Sequence, residues 1–261
     1  MRIATSKDGT DLAYDVSGDG PALVYITGAT CFRRFRPIVA DVELFATEFT
    51  VYSYDRRGRG DSGDVQPYAI EREVDDIESI VDAAGGHAIL YGHSSGAALA
   101  LEAAARMPDK IDRVVIYDAP YAHDEAEQVS YAQLAEKVRM LLSENANGRA
   151  LKTFLRGIGM PRVFIALLPL IPGWKTMKAL APTLMYDIAI TEILPPVQRF
   201  AGIDVPVQVV AGEKSPPELH QVARALAAAV PRSTYRLLAG QDHMVSARVL
   251  LPILTDSSAH S

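Results

Sequence analysis

Short apolar runs alternate with helix-length segments along most of this chain, and this alternation restricts the possible folds more than any other feature. Six runs rich in Val, Ile and Tyr are predicted strands, at 22–27, 50–54, 87–91, 113–117, 206–211 and 234–238. Several are apolar throughout, which is typical of strands buried on both faces of a parallel sheet. Predicted helices lie at about 35–47, 70–84, 95–107, 217–229 and 244–254. The pattern indicates an α/β protein with a mostly parallel central sheet flanked by helices.

The interval 121–200 interrupts the alternation, because it has helical periodicity but no convincing strand. One face of a helix at 124–145 carries its apolar side chains, namely Val129, Leu134, Val138, Leu141 and Leu142. The later part, 158–197, is more apolar and is interrupted by prolines. We therefore predict a core domain formed by 1–120 and 201–261, with a helical cap or lid inserted at 121–200. A helical subdomain that packs for stability alone is the alternative.

Composition and charge exclude several classes of protein. The chain has 261 residues, is 49% hydrophobic and carries a net charge of −6, which allows a large core and disfavours a nucleic-acid surface. The single cysteine, Cys31, excludes an intramolecular disulfide and a cysteine-rich metal site. The N-terminus lacks a signal-peptide core, and the longest apolar stretch, 163–174, is too short to span a bilayer. We expect a cytoplasmic protein with no membrane partner.

The pentapeptide Gly92-His93-Ser94-Ser95-Gly96 joins a predicted strand to a predicted helix and matches the pattern G-x-S-x-G. A sharp turn at this junction would hold Ser94 in a strained backbone conformation and project its Oγ, while the glycines remove side chains that would clash. The helix that begins at Ser95 would direct its N–H groups toward an anion formed on a substrate. A plain glycine turn is disfavoured by the strand before it and the helix after it. Ser94 is therefore the candidate nucleophile.

Three further segments make the chain resemble the α/β-hydrolase family over nearly its whole length. "YITGAT" at 25–30 ends a strand where the family has His-Gly-x, with Thr27 replacing the histidine and Gly28 retained. "YDRRGRGDSG" at 54–63 is similar to the family's Asp-x-Arg-Gly-x-Gly-x-Ser turn, whose expected role is structural. "LAGQDHMV" at 238–245 resembles the segment that carries the catalytic histidine.

The family's chain order of Ser, acid and His makes His243 the candidate base, because it follows the last predicted strand. His93 adjoins the nucleophile, and its place in the turn is expected to point its ring elsewhere. The resemblance also implies that the backbone N–H groups of Ala29 and Ser95 form the oxyanion hole.

The acid departs from the family pattern. Ser215 occupies the usual acid position after the penultimate strand, and a serine cannot stabilise an imidazolium as a carboxylate does. Asp118, at the end of the strand before the insertion, is the favoured acid, and Glu213 is the alternative. A serine–histidine pair without a carboxylate is a third interpretation.

These residues predict a serine hydrolase of the carboxylic-ester hydrolase type (EC 3.1.1), which cleaves an ester, thioester, lactone or related acyl bond of a small molecule. Four side chains suggest a partly hydrophobic substrate: Phe32, Val163, Leu167 and Trp174. No metal site or cofactor is expected, and the protein is expected to be a monomer or homodimer. A cofactor-free lyase, perhydrolase or acyltransferase on the same triad is one alternative, since fold does not determine reaction. A ligand-binding receptor with a residual triad is another.

Overall fold

A computed structural model describes residues 1–170 and 173–256 of the protein. Eight strands lie in these residues: β1 (Arg2–Thr5), β2 (Asp11–Ser17), β3 (Ala22–Ile26), β4 (Thr50–Tyr54), β5 (Ala88–His93), β6 (Ile111–Tyr117), β7 (Val207–Gly212) and β8 (Ser233–Leu238). They form one sheet in the spatial order β1-β2-β4-β3-β5-β6-β7-β8. The strands β1 and β2 are antiparallel to their neighbours, and β3 to β8 are parallel to one another.

Helices cover the sheet and form the insertion: α1 (Arg36–Phe45), α2 (Ile70–Ala83), α3 (Ser95–Arg106), α4 (Glu125–Ser143), α5 (Asn147–Gly157), α6 (Arg162–Leu167), α7 (Trp174–Ala179), α8 (Leu184–Thr191), α9 (Val197–Phe200), α10 (Pro217–Ala229) and α11 (Ala247–Thr255). The six predicted strands are β3 to β8, and the five predicted flanking helices are α1, α2, α3, α10 and α11. The predicted fold class is confirmed. Residues 257–261 of the predicted core domain lie outside the described residues.

The central strands β3, β5, β6 and β7 are buried on both faces, which explains why they are mostly apolar. Leu90 and Val114 point to the face that α2, α3 and α10 cover. Tyr91 and Val115, one residue further along each strand, point to the opposite face, against α1 and α11. Successive side chains of a strand point to opposite faces, so a strand covered on both sides has mostly apolar side chains on both.

The insertion between β6 and β7 has a hydrophobic core of its own. Its main buried side chains come from α4, α5 and α8: Leu134, Val138, Leu151, Phe154, Leu184 and Ile188. Ala29, in the segment after β3, packs against this core, so the insertion contacts the segment predicted to supply an oxyanion donor. Val129, which the sequence places on the apolar face of this helix, has a side chain that is 57% exposed.

The two ends of the insertion are joined at its base. The backbone N–H of Ala122 donates to the carbonyl oxygens of Thr191 and Ile193, at 3.2 and 3.1 Å. Tyr121 and Phe200 are buried in the core beneath the sheet rather than in the core of the insertion. Both ends of the insertion are therefore packed into the main body. The cap domain at 121–200 stays a prediction.

The close approach of α3 to β3 predicts that Gly96→Ala destabilises the fold. A Cβ at Gly96 would lie 2.1 Å from the carbonyl oxygen of Ile26, so backbone must move. Overpacking of this kind costs about 1–3 kcal/mol. We expect a loss of at least about 2 kcal/mol of unfolding free energy in urea titrations. In the control, Gly202→Ala, the nearest atom would be 3.5 Å away, and stability should be almost unchanged. Equal urea midpoints for the two variants would contradict the packing described here.

Candidate active site

The backbone at Ser94 has the strained conformation that the sequence predicts. Its φ is 56° and its ψ is −127°, a combination that non-glycine residues rarely adopt. The Ser94 N–H donates to the carbonyl oxygen of Tyr117 at 3.0 Å, and its own carbonyl accepts from Ala97 at 2.8 Å. These bonds tie the turn to β6 on one side and to α3 on the other. The turn therefore presents Ser94 at the carboxyl edge of the sheet.

The segment after β3 lies directly against the Ser94 side chain. A Cβ at Gly28 would be 2.8 Å from the Ser94 Cβ and 3.4 Å from its Oγ, so only glycine fits. Ala29 follows this glycine. Ser95 is the first residue of α3, and a helix gives its first N–H groups no intrahelical partner. The predicted oxyanion donors thus come from two segments that border Ser94.

Asp118 and His243 are within hydrogen-bonding distance. Asp118 follows β6 and is 1% exposed, and its Oδ2 lies 3.1 Å from His243 Nδ1. A carboxylate at Nδ1 favours the tautomer with the proton on that nitrogen, which leaves Nε2 free to accept a proton. Among the hydrogen bonds of the described residues, none joins Ser94 Oγ to the His243 ring. Such bonds are often long in unliganded active sites.

Ser215, at the usual position of the acid, and Glu213, the alternative acid, lie in different surroundings. Ser215 is buried, and its Oγ donates to Asp118 Oδ2 at 2.5 Å, the same oxygen that faces His243. Glu213 is exposed, and its carboxylate accepts from the backbone N–H of Gly240 at 2.7 Å. The usual acid position thus lies beside Asp118, while the carboxylate of Glu213 braces a turn.

His93 and Tyr117 hold the segment that carries His243, a role that their sequence positions do not reveal. The His93 Nε2 lies 2.8 Å from the carbonyl oxygen of His243, and the two rings are 5.0 Å apart. The Tyr117 hydroxyl donates to the carbonyl oxygen of Asp242 at 2.5 Å. Both side chains come from strand ends, and the only sequence signal was the presence of polar groups there.

Burial keeps His93 uncharged. Loss of solvent and, to a smaller extent, the neighbouring His243 lower the pKa of His93 to about 4. A neutral ring that bonds a carbonyl oxygen through Nε2 carries its proton on that nitrogen. His93 therefore adds no positive charge next to His243 near neutral pH.

The four predicted substrate-binding residues have varied surroundings. Phe32 packs against Phe35 with ring centroids 5.9 Å apart. Val163 and Leu167 are 72% and 50% exposed. Trp174 lies near the ammonium groups of two lysines, in a cavity on the insertion that Arg149 and other basic residues line. This predicted pocket stays a prediction.

Neither a metal site nor a membrane span is found in the part of the chain that the structure describes. No three metal-ligating side chains of His, Cys, Asp or Glu come together there. No helix in those residues is long and apolar enough to cross a membrane.

The chain belongs to the alpha/beta hydrolase family, whose family model matches residues 18–249. The crystal structure of an alpha/beta hydrolase from Sphaerobacter thermophilus DSM 20745 is 39% identical, with a TM-score of 0.86 and coverage of 97% of this chain and 98% of that one. The enol-lactonase from Burkholderia xenovorans LB400 shares the fold, with a TM-score of 0.74 at 21% identity, over 98% of this chain and 100% of that one.

A curated relative shows local similarity. The 2-(acetamidomethylene)succinate hydrolase of Mesorhizobium japonicum is 36% identical over 113 residues, which are 42% of this chain and 40% of that protein. The match covers less than half of the relative's length. Together, the family and these neighbours support a hydrolytic function.

We expect His93 and His123 to titrate at different pH values in an NMR experiment. The His93 ring should stay neutral down to about pH 5, because its pKa is lowered to about 4. His123, whose pKa is raised by its hydrogen bond to Glu127, should titrate above the ordinary value for histidine. Resonances of ¹³C-labelled histidine, assigned with His93→Gln and His123→Gln, measure both values.

The same lowered pKa implies a stability effect with a defined sign. Between about pH 6.5 and 4 the unfolded chain binds a proton at His93 that the folded chain does not, so stability falls as pH falls. His93→Gln should lose less stability than the wild type across that window in urea titrations. A wild-type His93 that titrates near 6.5 would contradict the buried, neutral assignment.

Proposed function

We propose that this protein is a serine hydrolase that cleaves an ester, thioester, lactone or related acyl bond of a small molecule through an acyl-enzyme. The observation that carries the proposal is the strained turn at Ser94, with Gly28 packed against the side chain of this half-buried serine. The Asp118–His243 pair at the same edge of the sheet supplies the groups that such a nucleophile needs.

In the first half of the reaction, Ser94 Oγ attacks the substrate carbonyl carbon. The hydroxyl proton passes to His243 Nε2, and the carbonyl π electrons move to the oxygen, which becomes an oxyanion. The backbone N–H groups of Ala29 and Ser95 bind this oxyanion. When the tetrahedral intermediate collapses, the bond to the leaving group breaks and His243 returns the proton to that group.

In the second half of the reaction, water takes the place of Ser94 as the attacking nucleophile. His243 removes a proton from water, the hydroxide adds to the acyl carbon, and Ser94 leaves with the proton that His243 donates. Asp118 keeps the imidazole in one tautomer and stabilises the imidazolium that forms twice in each cycle. Ser215 holds Asp118 in place through its hydroxyl. His93 holds the backbone of His243.

The proposed substrate carries a carboxylic-ester or lactone bond and an apolar portion. The family and the fold shared with an enol-lactonase support this class. The reaction uses a small-molecule substrate and no cofactor, and we propose a cytoplasmic monomer or homodimer. A series of p-nitrophenyl esters of increasing acyl length, compared with simple lactones, measures the preference.

Chemical labelling tests the nucleophile. A fluorophosphonate should modify Ser94 and no other serine, as measured by peptide mapping. Ser94→Ala should abolish labelling and lower kcat by about 10⁴-fold or more, because members of a triad act as one unit. A label on Ser95 would contradict the assignment. A loss below about tenfold, with slow wild-type turnover, would favour a receptor.

Product analysis with water, peroxide and alcohol separates hydrolysis from perhydrolase or acyltransferase chemistry.

A pair of conservative variants tests the acid. Asp118→Asn should lower kcat by about 10³–10⁴-fold, because an amide cannot balance the imidazolium and favours the wrong tautomer. Glu213→Gln should leave kcat within about threefold, because Glu213 braces the turn at Gly240. The reverse ranking would move the acid to Glu213, and two mild effects would indicate catalysis without a carboxylate.

Ser215 offers a gain-of-function control for the same assignment. Its Oγ is 2.5 Å from Asp118 Oδ2, so a carboxylate introduced there would lie close to His243. Ser215→Asp in the Asp118→Asn background should therefore recover part of the lost kcat. No recovery, in a variant that still unfolds cooperatively, would mean that position 215 cannot serve the imidazole.

A further inference from the structure

A buried carboxylate from the insertion lies directly behind the proposed oxyanion hole. Asp187, in α8, is 1% exposed. Its Oδ1 accepts from the hydroxyl of Ser95 at 2.6 Å and from Arg56 at 2.9 Å. Arg59 donates to both carboxylate oxygens at 2.8 Å. One side chain of the insertion thus binds the first residue of α3 and two arginines of the core.

The same two arginines bind the other side of the proposed oxyanion hole. Arg59 Nη1 donates to the carbonyl oxygen of Gly28 at 2.7 Å, and Arg56 Nη1 donates to that of Thr27 at 3.3 Å. The peptide that begins with the Gly28 carbonyl carries the N–H of Ala29. Fixing that carbonyl therefore fixes the direction of the N–H across the same planar peptide bond.

The cluster is electrically balanced and excluded from water. Glu73 pairs with Arg56 through two bonds, at 2.6 and 2.7 Å, so two carboxylates face two guanidinium groups. Burial opposes ionisation of Asp187, but Arg59 and Arg56 outweigh it and lower the pKa of that carboxyl. Charged hydrogen bonds in a buried site are short and directional, so the cluster holds its members in one geometry.

We propose that Asp187 is a positioning residue for the oxyanion hole, through which the insertion sets the relative orientation of the Ala29 and Ser95 N–H groups. This inference rests on the proposed serine-hydrolase function. Its structural basis is that Asp187 is one hydrogen bond from Ser95 and is connected through Arg59 to Gly28. The insertion is accordingly tied to the core at α8.

A second buried ion pair in the same loop provides a matched control. Asp76 is fully buried and binds Arg57 through two bonds, at 2.7 and 2.8 Å. Arg57 also contacts Asp8, in the turn between β1 and β2, rather than the segment after β3. Asp76→Asn therefore removes a buried charge pair that, among the described residues, makes no hydrogen bond to Ser95 or to the segment after β3.

The experiment compares Asp187→Asn with Asp76→Asn below the melting temperature of both variants. Both should unfold at lower urea concentration than the wild type, because Asp187→Asn removes the carboxylate paired with Arg59 and Asp76→Asn removes one of the two carboxylates paired with Arg57. Only Asp187→Asn should lower kcat, by about 10- to 100-fold with KM within threefold, since a displaced donor weakens transition-state binding. It should weaken inhibition by an alkyl boronic acid, whose tetrahedral adduct uses the oxyanion hole, by a similar factor.

A milder variant covers the case in which Asp187→Asn does not fold. Ser95→Ala keeps the backbone N–H and removes one bond to Asp187, so kcat should fall by about three- to tenfold with KM unchanged. The proposal is overturned if Asp187→Asn and Asp76→Asn have equal kcat and boronate affinity, or, failing expression, if Ser95→Ala matches the wild type. Failure of the proposed function is a separate result, seen when Ser94→Ala retains the wild-type turnover.

Discussion

Close approach of backbone at the turn between β5 and α3 is the constraint on which the rest of the active edge depends. A Cβ at Gly96 or at Gly92 would lie 2.1 or 2.4 Å from a carbonyl oxygen. Removing these two side chains lets α3 begin directly beneath the end of β3. Ser94 is then held at a φ of 56°, a strain of about 1–3 kcal/mol that persists only where packing enforces it. That packing places its Oγ next to Gly28.

The buried arginines make the same region rigid by electrostatics. Arg56, Arg57 and Arg59 are each at most 1% exposed, and each binds a buried carboxylate. Such pairs contribute little net stability over apolar packing, but removing one partner costs about 3–5 kcal/mol. Their effect is therefore on geometry, because charged partners must keep their places once water is excluded. The cluster around Asp187 applies this constraint where the N–H groups of Ala29 and Ser95 have to converge.

The acid end of the proposed triad depends on neighbouring strand ends. Asp118 follows β6 and Ser215 follows β7, so parallel pairing of these strands brings both to His243. Ser215 occupies the usual position of the acid, and its hydroxyl donates to Asp118, the proposed acid. This bond keeps the buried carboxylate of Asp118 hydrogen-bonded. His93 supports the backbone of His243 while remaining neutral, so it does not oppose formation of the imidazolium.

The sequence by itself determined six of the eight described strands, the flanking helices and the turn at Ser94, because periodicity and turn chemistry are local properties. His243 was singled out by the resemblance to a known family. Only the tertiary structure decided which carboxylate faces the imidazole and what surrounds the arginines. Asp118 and His243 are 125 residues apart, and Arg59 and Asp187 are 128 apart. No local pattern encodes contacts of that range. Arg56, Arg57 and Arg59 lie within four residues of one another in sequence, but this spacing does not reveal that all three are buried in the folded protein. Val129 lies on the apolar face of α4 and is nevertheless exposed, because a helical face is buried only where a neighbouring element covers it.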